Sequence, residues 1–86
     1  MYLDDLKISL NNNKAVIGSS RTIKYLKEDK LKLIVLAKNC PENIKMEIEN
    51  FSKKHNVKVE NFDGMGKQLG IYCGKPFSIS AISILK

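Results

Sequence analysis

Residues 31–41 read Leu-Lys-Leu-Ile-Val-Leu-Ala-Lys-Asn-Cys-Pro, and this stretch decides the fold. From Leu33 to Ala37 every side chain is apolar, and the run is too short for a helix. Such a run suits a strand buried on both faces, with helices packed above and below it. The apolar character stops at Lys38-Asn39, and Pro41 and a helical pattern follow. Pro41 is therefore expected in the first turn of a helix, where its missing N–H costs nothing. Asn39 then stands at the mouth of a strand-to-helix junction, with its amide facing outward from a rigid base.

Around that junction the chain alternates. Leu3, Leu6 and Leu10 form a helical stripe ended by Asn11-Asn12-Asn13. Lys14 to Ile17 reads as a brief strand, and Gly18-Ser19-Ser20 as a turn in which Ser19 or Ser20 caps the next helix through its hydroxyl. In that helix Thr22, Ile23 and Leu26 turn inward, while Arg21, Lys24 and Lys27 face water or a ligand. Lys30 to Ala37 is the second strand. From Pro41 to about His55 a third helix buries Ile44, Ile48 and Phe51 at i, i+4 and i+7, with His55 an ordinary surface residue near its end. Val57 to Phe62 is the third strand. Gly64 and Gly66 then turn the chain into a short helix carrying Leu69, Ile71 and Tyr72. A Gly74-Lys75-Pro76-Phe77 loop precedes a last strand, Ser78 to Leu85. The order α-β-α-β-α-β-α-β with short connections predicts a three-layer α/β/α sandwich around a four-stranded, mostly parallel or mixed sheet. No repeat or low-complexity segment interrupts it.

At 86 residues the chain has room for one core, and 1–86 is expected to form one domain. A chain of this size buries only about 60–65% of its extended surface, so its helices must be short. No apolar run reaches the ~18 residues of a membrane span, and the acidic opening Met1-Tyr2-Leu3-Asp4-Asp5 lacks the basic start of a signal peptide. A soluble intracellular protein is expected. Fifteen Lys and Arg against nine Asp and Glu leave a net charge of +6, which favours a polyanionic partner. Cys40, Cys73 and the single His55 cannot supply four zinc ligands, and no C-x-x-C pair is present. Two reduced thiols at buried or half-buried positions are expected, and no cofactor.

Two nucleotide-site look-alikes fail on spacing. In Gly64-Met65-Gly66-Lys67-Gln68-Leu69-Gly70 the third glycine comes one place late for G-x-G-x-x-G. Gly66-Lys67 also lacks the upstream glycine of a P-loop, so a turn glycine and a packing glycine describe the segment better.

Three outward loops carry chemistry that suits RNA. Gly18-Ser19-Ser20-Arg21, with Lys24 one turn on, offers a helix start, hydroxyls and a guanidinium. Lys38-Asn39 offers an amide for a base edge beside a cation, and Gly74-Lys75-Pro76-Phe77 offers a ring for stacking on an unpaired base. Loops at one end of such a sheet converge, so the three can form one site. Taken singly, each has an ordinary reading: Arg21 as a solvated helix residue, Asn39 as an N-cap, Phe77 as a core filler.

Nearly the whole chain, Leu3 to Leu85, also resembles a known family. The segments that carry the likeness are Lys14-Ala-Val-Ile-Gly18, Thr22-Ile-Lys24-Tyr-Leu and Lys32-Leu-Ile-Val-Leu-Ala-Lys-Asn39, with the helix from Ile44 to Phe51. Leu69-Gly70, Gly74-Lys75 and Ser80-Ala81-Ile82-Ser83-Ile84-Leu85 complete it. The family is that of the archaeal and eukaryotic large-subunit ribosomal protein L-thirty-e, in the kink-turn-binding group shared with L-seven-A-e. The resemblance implies an α/β/α sandwich that clasps a kinked internal loop of RNA with tandem sheared G·A pairs.

It further implies that Gly18, Ser19, Ser20 and Arg21, with Lys24, meet the RNA. Asn39 would read a guanine of the sheared pairs, and Phe77 would lie against an extruded or unstacked base. Gly66-Lys67 would border the same site. From the outward loops themselves, Lys38 beside Asn39 and Lys75 beside Pro76-Phe77 are expected to add cations. The chain departs from its relatives at Ser20, where they often carry Lys, Arg or Asn, and Arg21 is expected to take that role. A non-enzymatic component of the large ribosomal subunit is therefore expected, cytoplasmic and monomeric when free. Its partners would be RNA and neighbouring ribosomal proteins. The alternatives are a kink-turn protein of another ribonucleoprotein or riboswitch, or a small α/β domain that takes a nucleotide or an acidic protein at the Gly64 turn.

Overall fold

The computed structural model describes residues 2–86, so Met1 of the acidic opening lies outside the described residues. Eight elements alternate along the chain: α1 (Tyr2–Asn11), β1 (Ala15–Ile17), α2 (Ser19–Lys27), β2 (Leu31–Leu36), α3 (Glu42–His55), β3 (Lys58–Asn61), α4 (Gly66–Tyr72) and β4 (Ala81–Leu85). The four strands form one mixed sheet in the order β1-β4-β2-β3. β4 pairs antiparallel with both β1 and β2, and β3 pairs parallel with β2. Thus β1, β2 and β3 all end at one rim of the sheet, the rim where β4 begins.

The expected burial of β2 on both faces is seen: Leu33 to Ala37 are all buried. Leu33, Val35 and Ala37 join Ile82 and Ile84 of β4 beneath Leu6 of α1 and Leu69 of α4. On the opposite face Ile34 and Leu36 join Ala81 beneath Leu26 of α2 and Ile48 of α3. This is the period-2 alternation of a strand between two helical layers. Leu31 breaks the alternation and sits with Ile34, because the β2–β4 register shifts between Leu31 and Leu33. On β4 the residues facing α2 include the small Ala81 and Ser83, and Thr22 Oγ1 shares a buried 3.1 Å hydrogen bond with Ser83 Oγ. The serine hydroxyl also donates to the Val16 carbonyl at 3.4 Å, so a polar pair in an apolar layer keeps its partners.

Several local expectations are corrected. Neither Ser19 nor Ser20 caps α2: both are already helical, the N-cap is Gly18, and no side chain bonds there. Pro41 lies one residue outside α3 as its N-cap, with an extended ψ of 139° and its carbonyl accepting from Lys45 N–H. His55 is half-buried, with Nδ1 3.7 Å from Asp29 Oδ1, rather than an ordinary surface residue. On α4, Leu69 is buried but Ile71 is 67% exposed. Each strand is also shorter than its apolar pattern. The last begins at Ala81 rather than Ser78, since Ile79 N–H donates to the Gly66 carbonyl of α4 and not to a strand. No helix among the described residues is long and apolar enough to cross a membrane.

Candidate nucleic-acid interface

A continuous set of hydrogen bonds stitches four segments together at the rim. Gly18 N–H donates to the Ala81 carbonyl (2.9 Å), and Ala37 N–H donates to the Ser80 carbonyl (3.0 Å). Ile79 N–H donates to the Gly66 carbonyl (2.9 Å), and Lys38 N–H to the Gly64 carbonyl (2.9 Å). Gly66 N–H in turn donates to Oδ1 of Asn39 at 2.9 Å. The α2 start, the β2–α3 junction, the α4 start and the approach to β4 are thus neighbours, as the sheet topology requires.

The Asn39–Gly66 bond sets the chemistry of the junction. The first N–H groups of a helix have no partner within it, and Asn39 supplies one from 27 residues upstream. Because the amide oxygen accepts from Gly66, the Asn39 NH₂ group is the end left to turn outward, and Asn39 is exposed. The junction therefore presents a hydrogen-bond donor whose orientation is held by the backbone. A Cβ on residue 66 would stand 3.3 Å from Asn39 Oδ1 and 3.0 Å from the Ile79 carbonyl oxygen, so glycine is what lets the three chains close up.

Gly66 and Gly70 lie one helical turn apart and face the chain that leads into β4, where an ideal Cβ on Gly70 would fall 2.0 Å from the Phe77 carbonyl oxygen. Close contact of α4 with this segment fixes the Phe77 backbone while leaving its ring 52% exposed. Lys67, Ile71, Lys75, Pro76, Phe77 and Ser78 line one shallow depression. Ile71 is an apolar residue of that depression that was not among the expected site residues. The i, i+4 relation to Lys67 is the signal that brings it out, because Gly66 and Gly70 occupy the packed face beside it.

At the other side of the rim Gly18 adopts φ 110° and ψ 145°, a region open essentially to glycine alone. No atom lies within 4 Å of where its Cβ would stand. Gly18→Ala is thus expected to cost about 1–3 kcal/mol through backbone strain alone, read as a lower midpoint in urea unfolding. Ser19 is half-buried there, and Ser20, Arg21 and Lys24 are exposed along the first turns of α2.

The rim is not uniformly cationic. Lys38 Nζ lies 3.1 Å from Asp63 Oδ1, a partner that the sequence reading passed over. Asp63 is 97% exposed, so this pair is weak and exchangeable. Arg21, Lys24, Lys67 and Lys75 form no ion pair among the described residues. Cys40 is buried behind the junction and Cys73 is half-buried, both free. Burial pushes each thiol pKa above its usual value, against a smaller opposing pull from Lys45 or Lys75, so neither is an activated nucleophile. Among the described residues no group of three or more His, Cys, Asp or Glu could hold a metal ion.

A three-layer α/β/α domain whose converging loops present an oriented amide, an exposed ring and unpaired cations defines the class. The chain belongs to the ribosomal protein L7Ae/L30e/S12e/Gadd45 family, which it matches over residues 2–86. It is 40% identical over 81 residues to the large ribosomal subunit protein eL30 of Saccharolobus solfataricus, spanning 94% of this chain and 75% of that protein. It is 38% identical over 79 residues to eL30 of Methanothermobacter thermautotrophicus, spanning 92% and 81%.

Among solved structures the fold is shared with a protein of unknown function from Bacillus halodurans (TM-score 0.85, 15% identity, 99% of this chain and 84% of the other). It is shared too with the 15.5 kD RNA-binding protein of Giardia lamblia (TM-score 0.81, 18% identity, 99% and 71%). The family is one of structural, non-enzymatic proteins, and this chain is not an enzyme.

Proposed function

We propose that the protein is a structural component of the large ribosomal subunit, associated with ribosomes in the cytoplasm, that binds and stabilises a kink-turn in rRNA. The observation that carries this reading is the rim, where Asn39, Gly66 and the segment before β4 are bonded into one unit with the amide NH₂ outward. The eL30 relatives support the ribosomal setting.

Bending an RNA stem sharply brings phosphates of two segments together. Arg21, Lys24, Lys67 and Lys75 would offset that repulsion, with Lys38 joining once it leaves Asp63. Asn39 would donate to an acceptor on the guanine edge of a sheared pair. Phe77 would cover a base that the kink expels, with Gly18, Ser19 and Ser20 setting how closely the α2 start approaches. These contacts exist only in the bent form, so binding selects it from the RNA's conformational ensemble. The free protein is a monomer in this reading.

A gel shift with a kink-turn RNA, its G·A pairs intact or disrupted, tests the proposal. Intact RNA should bind clearly more tightly, and equal binding would refute it. Lys24→Ala should reduce the slope of log affinity against log salt by about 0.7–0.9, as expected for one lost phosphate contact, with selectivity for the kink unchanged.

A further inference from the structure

Away from the rim, the outer faces of α2 and α3 converge on one ring. Lys27 Nζ lies 5.2 Å and Lys54 Nζ 5.6 Å from the centroid of Phe51, a half-buried ring packed against the α2–α3 core. The two ammonium groups can be no farther apart than the sum of those distances, comparable with the ~10 Å screening length of 0.1 M salt. Lys27 is in the last turn of α2 and Lys54 in the last turn of α3, where a cation complements the helix dipole. The dipoles account for a cation at each helix end, but not for the meeting of both on one ring.

The neighbouring charges sharpen the contrast. Tyr25 also has two lysines near it, Lys24 at 6.0 Å and Lys30 at 5.8 Å, but Lys30 is paired with Glu28 at 3.1 Å. Asp29, the other acidic residue in that turn, is engaged by Lys86 at 3.0 Å and lies 3.7 Å from His55. Glu47 stands one turn back on α3 from Phe51, half-buried, and makes no ion pair among the described residues. Lys27 and Lys54 are thus two cations held near each other with no carboxylate partner among the described residues, each oriented by the negative face of the same ring.

We propose that this α2–α3 face carries a second binding site, for the phosphate backbone of double-helical RNA, centred on Phe51, Lys27 and Lys54. Held lysines without carboxylates lower the ordering cost of meeting a phosphate and release counterions when they do. The site reads no sequence, because nothing there offers an oriented donor or acceptor to a base edge. It lies toward the end of the sheet opposite the rim, since α2 and α3 both start at the rim and run away from it. It therefore adds a separate segment of duplex and does not depend on the rim reading a kink.

The test is fluorescence anisotropy of an uninterrupted RNA duplex against the full chain across a salt series. For Lys27→Ala/Lys54→Ala the log–log salt slope is expected to be shallower by about 2, roughly 1 for each cation removed. Lys27→Arg/Lys54→Arg should keep the parent slope. Phe51→Leu preserves an apolar filler while removing the ring, and should weaken binding with little change in slope. A parent-like slope for the double alanine variant would overturn the proposal. So would competition by polyglutamate as effective as by unlabelled duplex, which would assign the face to an acidic protein. Selectivity for intact over disrupted G·A pairs, measured in parallel, should survive the double alanine change. Its absence in the parent would count against the rim alone.

Discussion

Asn39→Asp is expected to fold as well as the parent and to bind a kink-turn RNA at least about tenfold more weakly. An aspartate oxygen can accept the Gly66 N–H as the amide oxygen does now at 2.9 Å. A negative charge beside a helix start is favourable by about 0.3–1 kcal/mol, so stability should hold or rise slightly. Binding suffers twice. The outward donor becomes an acceptor, which forfeits a base-edge contact of about 1–3 kcal/mol, and a carboxylate is brought toward a polyanion.

Asn39→Ala loses the same base contact, about 1–3 kcal/mol in binding, but also leaves the Gly66 N–H without its protein partner, about 1 kcal/mol of stability. Comparing the two variants by urea unfolding and by gel shift separates holding the helix start from reading the RNA. Parent-like RNA affinity in either variant would show that the junction is not the contact. Equal loss of stability in both would show that the Gly66 bond is not what matters at residue 39.

The largest effect on the fold is expected at Gly70. An alanine there would put its Cβ 2.0 Å from the Phe77 carbonyl oxygen and 3.1 Å from the Phe77 carbonyl carbon, and both obstacles are backbone. The segment before β4 must move by an ångström or more, which strains the Ile79–Gly66 and Lys75–Gly70 hydrogen bonds, each 2.9 Å. Alanine regains about 1 kcal/mol of helix propensity, but overpacking of this kind costs more. A net loss of about 2–3 kcal/mol is expected, or roughly 10–20 °C in melting temperature for a domain of this size. RNA affinity should fall with it, since Phe77 is carried on the displaced chain. Gly74→Ala is the control: φ is +73° but no atom lies within 4 Å of its Cβ, so only the backbone penalty of about 1–2 kcal/mol applies. Similar melting temperatures for the two variants would refute the packing role of Gly70.

Element type was legible wherever one periodicity dominated. The uninterrupted run from Leu33 to Ala37 announced a strand covered on both sides, and the i, i+4, i+7 spacing of Ile44, Ile48 and Phe51 announced the face of α3 that packs inward. Strand order was not legible, because β4 pairs with β1 across a separation of more than 60 residues and such pairings leave no local trace. The boundaries erred where a backbone group found a partner outside its own element, as Ile79 N–H does at Gly66.

At the candidate site, Asn39 was singled out by its place after an apolar strand. What held its amide was hidden, since a glycine N–H has no signature in a sequence. The Ser19 and Ser20 caps were misread for a related reason. A hydroxyl next to a glycine turn resembles a cap, yet at Gly18 the backbone enters the helix directly through a conformation that other residues avoid.

The central position of β4 bears on how the molecule comes into being. β1 and β2 do not touch along the sheet; each is bonded to β4, which follows the other seven described elements. A polypeptide emerging amino-terminus first can form its early helices, but it has nothing to join its first two strands until residues 81–85 appear. The rim is closed by the same segment, through Ser80 and Ala81, so the proposed RNA-binding rim should form only once residues 80–85 have been made, in one step with the completion of the sheet.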